Sequence, residues 1–199
     1  MLHNYKTLFI ATLSFLFSYC LSANNNGQGY ILTLDKKKIA GTITNIIYSD
    51  LYSEITFIND MGTPYKIGPF LITGFYFENE NESFTYESKF YKGRWLFLRI
   101  LVRGKGLNLY ASHYEKKNVV QYLWGDRVVE RSVKEYWLEW KGKFPIMITP
   151  LNFRKTLKSK FSKYPSLVKK IGSPGYRFKD LEKIVIEYNK SFEESGTRI

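Results

Sequence analysis

Across residues 95–112 the chain alternates with a period of two on both sides of Gly104-Lys105-Gly106, a pattern that constrains this segment to an antiparallel hairpin. Leu96, Leu98, Ile100 and Val102 fall on one side of the first run, with Trp95, Phe97, Arg99, Leu101 and Arg103 on the other. A two-residue type II′ turn at Gly104-Lys105 pairs Val102 with Leu107, Ile100 with Leu109 and Leu98 with Ala111, apolar against apolar. The same register sets Trp95 opposite Tyr114, Phe97 opposite Ser112 and Arg99 opposite Tyr110. Trp95, Phe97, Arg99, Tyr110 and Tyr114 are therefore the candidate ligand platform, because rings interleaved with a guanidinium suit a sugar or an anion. A face of this composition also suits packing beneath helices, and that cover is the expected arrangement.

The meander is expected to continue through residues 119–124, a turn at Gly125-Asp126, and residues 127–140. In the last of these strands Tyr136, Leu138 and Trp140 are predicted to face the core, with Glu135, Trp137 and Glu139 outward. Residues 24–88 read as a small antiparallel β domain, a barrel or rolled sheet. Tyr30, Leu32 and Leu34, the charged turn Asp35-Lys36-Lys37-Lys38, and Ile39, Gly41 and Ile43 make its first hairpin. Further strands are expected at 54–58, at 65–67 (held at an edge by Pro64), at 70–77 and at 84–87, with Asn59-Asp60-Met61-Gly62 as a turn.

At Thr149 the period changes. Thr149 is a predicted cap and Pro150 suits a first helical turn, after which Leu151, Phe153, Leu157 and Phe161 recur at helical spacing. Leu167, Val168 and Ile171 mark a second helix. Phe178, Leu181, Ile184, Val185 and Tyr188 mark a third. The fold class is α+β: the β-rich part and meander first, then three helices packed on the sheet, with residues 89–199 as the second unit.

Charge divides the same way. Residues 24–90 carry a net charge of −3 and residues 91–199 one of +14. From 151 to 183 there are ten Lys and Arg against Asp180 and Glu182, and Lys155, Lys158, Lys169 and Lys170 are the candidate anionic-surface residues. Anionic lipid, lipopolysaccharide or an acidic glycan are the expected partners, with peripheral membrane association, and nucleic acid is not expected.

That exclusion follows from residues 1–23. Lys6, an apolar run over 8–19, then Cys20-Leu21-Ser22-Ala23 is the order of a secretory signal peptide. Cleavage after Ala23 is the favoured reading. Lipidation of Cys20 is the alternative, although bulky Tyr19 stands where a small residue normally precedes a lipidated cysteine. The chain is thus expected to be exported, to the periplasm or the outer-membrane surface.

Removing residues 1–23 also narrows the chemistry. Cys20 is the only cysteine of the 199 residues, and His113 is the only histidine besides His3, so thiol nucleophiles and thiolate metal sites are excluded from a processed chain. No Gly-x-Ser-x-Gly elbow is present. Gly104-Lys105-Gly106 lacks the downstream Gly-Lys-Ser/Thr of a phosphate loop, and no cofactor is implied. Glu78, Glu80 and Glu82 read as a solvated acidic turn rather than a metal site. A carboxylate pair for glycoside hydrolysis is not singled out by spacing.

Gly29-Tyr30-Ile31-Leu32-Thr33, Gly41-Thr42-Ile43, Ile72-Thr73-Gly74-Phe75, Gly106-Leu107-Asn108-Leu109-Tyr110, Phe153-Arg154-Lys155-Thr156-Leu157, Pro165-Ser166-Leu167 and Tyr188-Asn189 follow one another in the chain. In that order they resemble uncharacterised exported proteins common in Bacteroidota. Lys163-Tyr164 stands where those proteins often carry an aspartate and a cysteine. The resemblance implies export and the order β then α, and carries no activity. The function expected is that of an exported cell-envelope protein, a non-catalytic structural or binding module for an anionic or glycan partner. The alternative is an envelope-directed hydrolase with an unlocated carboxylate site.

Overall fold

The computed structural model describes residues 27–48, 52–80, 82–122 and 125–196, without the side chains of 113–133 and 196. The signal segment, Cys20 and the side chains of His113 and Tyr114 lie outside the described residues. Ten antiparallel strands form one sheet: β1 (Gly27–Thr33), β2 (Lys38–Tyr48), β3 (Ser53–Asn59), β4 (Pro64–Ile67), β5 (Ile72–Glu78), β6 (Ser83–Tyr91), β7 (Arg94–Val102), β8 (Leu107–Tyr122), β9 (Gly125–Trp140) and β10 (Ile146–Ile148). The helices α1 (Phe153–Lys160), α2 (Pro165–Lys170) and α3 (Leu181–Gly196) follow. The spatial order is β10-β9-β8-β7-β6-β5-β1-β2-β3-β4. The boundary expected at 88/89 falls inside β6, whose pairs with β5 and β7 carry the sheet across it.

Local chemistry explains most of the turns. Asn59 Oδ1 accepts from Met61 N (3.1 Å) and Thr63 N (2.9 Å), and Gly62 takes φ +78° there, so the β3–β4 hairpin closes as expected. Lys92 and Gly93 both have positive φ, the geometry of a type I′ turn whose twist suits the β6–β7 hairpin.

The order β4-β3-β2-β1-β5 forces curvature. In a flat sheet β4 and β5 would stand about 19 Å apart. Residues 68–71 must join them, and the step from Ile67 to Ile72 reaches only about 16–18 Å fully extended. The sheet rolls accordingly, and its inner face collects Ile31, Ile43, Ile55, Phe57, Phe75, Phe77, Phe84, Tyr86 and Phe97 into one core. Phe75 stacks on Tyr86 at 4.5 Å and meets Phe97 edge-on at 4.9 Å. The roll is clasped where the Phe97 N–H donates to Ser53 Oγ at 2.8 Å, joining β7 to the start of β3.

Beyond the roll the same sheet face continues through the pairs Tyr86 with Arg99, Arg99 with Ala111, Ala111 with Tyr136, and Tyr136 with Ile148. Here helices cover it. Phe153 and Leu157 from α1 with Phe161 at its C-cap, Leu167 and Ile171 around α2, and Leu181, Ile184, Val185 and Tyr188 from α3 bury Leu107, Leu109, Leu138 and Ile148. Asn189 of α3 binds the sheet directly: its Oδ1 accepts from Gly106 N (3.3 Å) and Leu107 N (3.0 Å), and its Nδ2 donates to Leu107 O (2.8 Å).

Several expectations change. The β7–β8 register departs from the predicted pairing by one residue at Ile100, which faces Tyr110 rather than Leu109, and by two at Val102, which faces Leu109 rather than Leu107, with a bulge at Leu101 between them. The connection is four residues, 103–106, and Gly104 lacks the positive φ of a type II′ turn. Asn189 satisfies the backbone that a tight turn would have paired. The helices consequently cover the aliphatic side of β8, not the predicted aromatic face. Trp137 is buried with Leu96, Leu98 and Tyr110 on the opposite face, rather than exposed as expected. β8 is a single 16-residue strand, and β9 begins at Gly125, so Gly125 and Asp126 lie in a strand instead of a turn. Leu151 is 97% exposed, because α1 starts after it, with Asn152 at the N-cap.

Candidate functional site

The predicted platform does not assemble. Phe97 lies inside the roll, whereas Tyr110 is buried in the cluster on the other face of the sheet. Trp95 is partly exposed and packs against Phe90 at 5.5 Å. Arg99 lies over the Phe84 ring and pairs with Glu82 at 3.5 Å. The bulge at Leu101 is the physical reason: it changes which side of β8 meets β7.

Tyr110 instead anchors a polar ring that the sequence pattern did not single out. Its hydroxyl lies 2.8 Å from Glu87 Oε2 and 2.7 Å from Glu139 Oε2, and Lys89 Nζ reaches the same two atoms at 2.9 and 2.8 Å. Arg103 closes on the remaining oxygen of Glu87. Asn108 donates to the Tyr110 hydroxyl at 3.2 Å and accepts from Gly104 N at 3.1 Å. Strands β6, β8 and β9 and the β7–β8 connection thus meet at one partly buried set of charges. A cleft of about 500 Å³ opens beside it, lined by residues 104–108, Glu139, Lys141 and Phe192.

Two facing carboxylates at a cleft suggest acid–base chemistry, but the electrostatics oppose it. Burial pushes Glu87 up, yet bonds from Lys89, Tyr110 and Arg103 outweigh it and hold the carboxyl below its ordinary range. A glycosidase acid needs the opposite shift, so that one carboxyl keeps its proton near neutrality. Burial and both glutamates push the Tyr110 hydroxyl far upward, which keeps it a neutral donor. The ring is internally satisfied and works as a clamp across the sheet.

The second candidate is the outer surface of the helices. On α1, Phe153 and Leu157 point to the core, leaving Arg154, Lys155 and Lys158 exposed at positions three and four apart. On α2, Leu167 is buried while Lys169 and Lys170 are exposed. The Arg154 side chain lies over Gly172, close enough that a Cβ there would stand 2.9 Å from Arg154 Nε, so the two basic surfaces adjoin. Lys170 is bonded to Glu187 at 2.8 Å, and that carboxylate, with Tyr176, raises its pKa. Lys155, Lys158 and Lys169 make no ion pair among the described residues. Among those residues there is also no group of three or more His, Cys, Asp and Glu placed to hold a metal, and no helix long and apolar enough to cross a membrane.

No protein-family model, curated protein or solved structure matches the chain.

Proposed function

We propose that this is an exported cell-envelope protein, a non-catalytic binding module that docks an anionic partner on the joined outer faces of α1 and α2. The observation that carries the reading is the set Lys155, Lys158 and Lys169, exposed and without acidic partners among the described residues, with Arg154 of α1 lying against Gly172 just beyond α2. The order of residues 1–23 supports export. Basic side chains near a charged surface contribute about 1 kcal/mol each, so reversing three of them weakens binding by about a hundredfold or more. Cosedimentation of the purified protein with anionic vesicles or isolated envelope at low salt tests this, with K155E/K158E/K169E as the variant. Wild-type binding by that variant would remove the docking face from α1 and α2.

One observation favours a second reading, hydrolysis of envelope material: Glu87 and Glu139 share a hydroxyl and an ammonium at the rim of a cleft. The charges on Lys89 and Arg103 work against a protonated acid there. Turnover of isolated envelope glycan that Glu139→Gln abolishes would establish the enzyme; absence of turnover leaves the binding module.

A further inference from the structure

We propose that the anionic partner is a lipid bilayer surface, entered by the side chains of Phe144 and Leu151. The inference rests on the reading of α1 and α2 as an anion-docking face and names what docks there. Phe144 is 75% exposed and Leu151 is 97% exposed. A lone exposed apolar residue is ordinary on a soluble protein. What distinguishes this pair is how firmly each is presented and what surrounds it.

Leu151 sits in a braced connection. Thr149 N donates to Asn152 Oδ1 at 2.8 Å, Asn152 Nδ2 donates to Met147 O at 3.1 Å, and Phe153 N donates to Thr149 O at 2.9 Å. With Thr149 and Asn152 bonded on either side of Pro150-Leu151, the exposed leucine sits in a fixed loop. Phe144 follows a turn in which Gly142 has φ +71° and Lys143 N donates to Trp140 O at 2.9 Å, and it precedes the buried Pro145. The two residues flank β10, and their Cα atoms can lie no more than about 25 Å apart.

Exposed Lys141 and Lys143 stand beside Phe144, and exposed Arg154 and Lys155 follow Leu151 into α1. Apolar tips rimmed by cations match the layered chemistry of an anionic membrane, phosphate outside and hydrocarbon beneath. A soluble acidic polysaccharide would engage the cations and leave an aliphatic leucine in water. Strand addition by a partner protein is disfavoured, because β10 is only three residues long and lies between Pro145 and Pro150. The exposed Leu34 stands beside Asp35, which is paired with Lys37, and the exposed Phe70 and Leu71 lie in the β4–β5 connection with no Lys or Arg within three residues of them in the chain, so Phe70 and Leu71 serve as the internal control.

The test compares wild type, F144S/L151S and F70S/L71S on phosphatidylglycerol-containing vesicles, on pure phosphatidylcholine vesicles, and on heparin as a soluble polyanion. All substituted side chains are exposed, and an unchanged Tm checks the fold. The expected result is wild-type binding to the anionic vesicles but not to phosphatidylcholine alone. F144S/L151S should bind them at least about tenfold more weakly with heparin binding unchanged, and F70S/L71S should behave as wild type. If F144S/L151S binds anionic vesicles like wild type, the two tips do not enter lipid, although the docking face stands. Wild type that binds heparin and no vesicle points to a glycan and overturns the lipid assignment. Failure on both would remove the anion-docking reading beneath it.

Discussion

The two ends of this sheet solve one problem in different ways. Both must cover the same continuous apolar face, and the N-terminal end does so by rolling that face onto itself, whereas the C-terminal end borrows three helices. The roll fills its interior with side chains from β1–β7, so its cover adds no further surface. The helical end acquires an outer surface as a by-product, and that surface carries the exposed lysines. Each end is also fastened by a side chain that satisfies backbone N–H groups left without a strand partner: Ser53 for Phe97 in the roll, Asn189 for Gly106 and Leu107 beneath α3.

If the two ends form one cooperative unit, damage to either cover should be felt throughout. Phe161 is fully buried and stacks on Tyr188 at 4.2 Å, linking α1 to α3. Phe161→Ala is expected to cost about 3–5 kcal/mol, as truncation of a buried aromatic does. Because the strands are paired without a break, that loss should appear as one transition shifted down by about 6–20 °C. Coincident melting curves by far-UV circular dichroism and tryptophan fluorescence would confirm this. Two separated transitions would instead show that the roll survives loss of the helices.

The fastenings allow a finer comparison. Asn189→Ala leaves two N–H groups and one carbonyl without their partner, an expected loss of about 2–4 kcal/mol, whereas Ser53→Ala removes the acceptor from a single N–H and should cost about 1–2 kcal/mol. Urea denaturation of the two variants measures the difference. Equal losses would mean that the helical end is held by its apolar contacts alone. Asn189→Asp adds a control, since it keeps the acceptor but buries a charge.

Acid should distinguish the ends again. The roll interior holds Tyr48 and Tyr86, both raised by burial, while the centre of the sheet holds Glu87, whose carboxyl is depressed by its cationic and phenolic partners. A depressed carboxyl binds protons less readily in the folded state than in the unfolded one. Its contribution is complete above the unfolded value of about 4.5 and is lost as pH falls toward the lower folded value. The raised tyrosines behave oppositely: their stabilisation is complete below about pH 10 and is lost as pH rises beyond it. Denaturant midpoints of wild type should therefore fall below about pH 4.5, more steeply than those of Glu87→Gln. Identical acid limbs would show that the ring contributes nothing to stability.

How much of this could be read in the chain depends on whether the deciding contact is local. Period-two runs locate β1 to β6, Asn59 and Gly62 close their hairpin, and the 153–157–161 spacing finds the buried stripe of α1. The bulge at Leu101 has no such signature: no glycine marks it, and the apolar alternation favours the unbulged register. The connection beside it is bonded by Asn189, 83 residues beyond Gly106, a contact no local pattern shows. The separation of Phe97 from Tyr110 onto opposite faces follows from the bulge. The polar ring was hidden for a related reason. Glu87, Lys89 and Glu139 each occupy an ordinary outward position in their own strand, and only the sheet order brings them to one hydroxyl. Counting charges over residues 151–183 singles out the lysines of α1 and α2, whereas the approach of Arg154 to Gly172 is a tertiary contact that counting does not show.

The smallest expected effect on stability is also the one that most directly separates the two ends by role. Both carry three exposed lysines: Lys36, Lys37 and Lys38 at the first hairpin, and Lys155, Lys158 and Lys169 on the helices. Exposed charges contribute little to folding, so reversing either triplet should leave Tm nearly unchanged. Binding should not treat them alike. The hairpin lysines are locally offset, with Lys37 bonded to Asp35 at 2.9 Å and Lys38 lying 4.4 Å over the Tyr30 ring. The helical lysines have no acidic partner among the described residues, and they project from a surface that Arg154 and Gly172 knit together. K155E/K158E/K169E should therefore abolish the salt-sensitive retention of the protein on anionic vesicles, and K36E/K37E/K38E should leave most of it. If the hairpin triplet proves the more damaging, the binding face belongs to the roll.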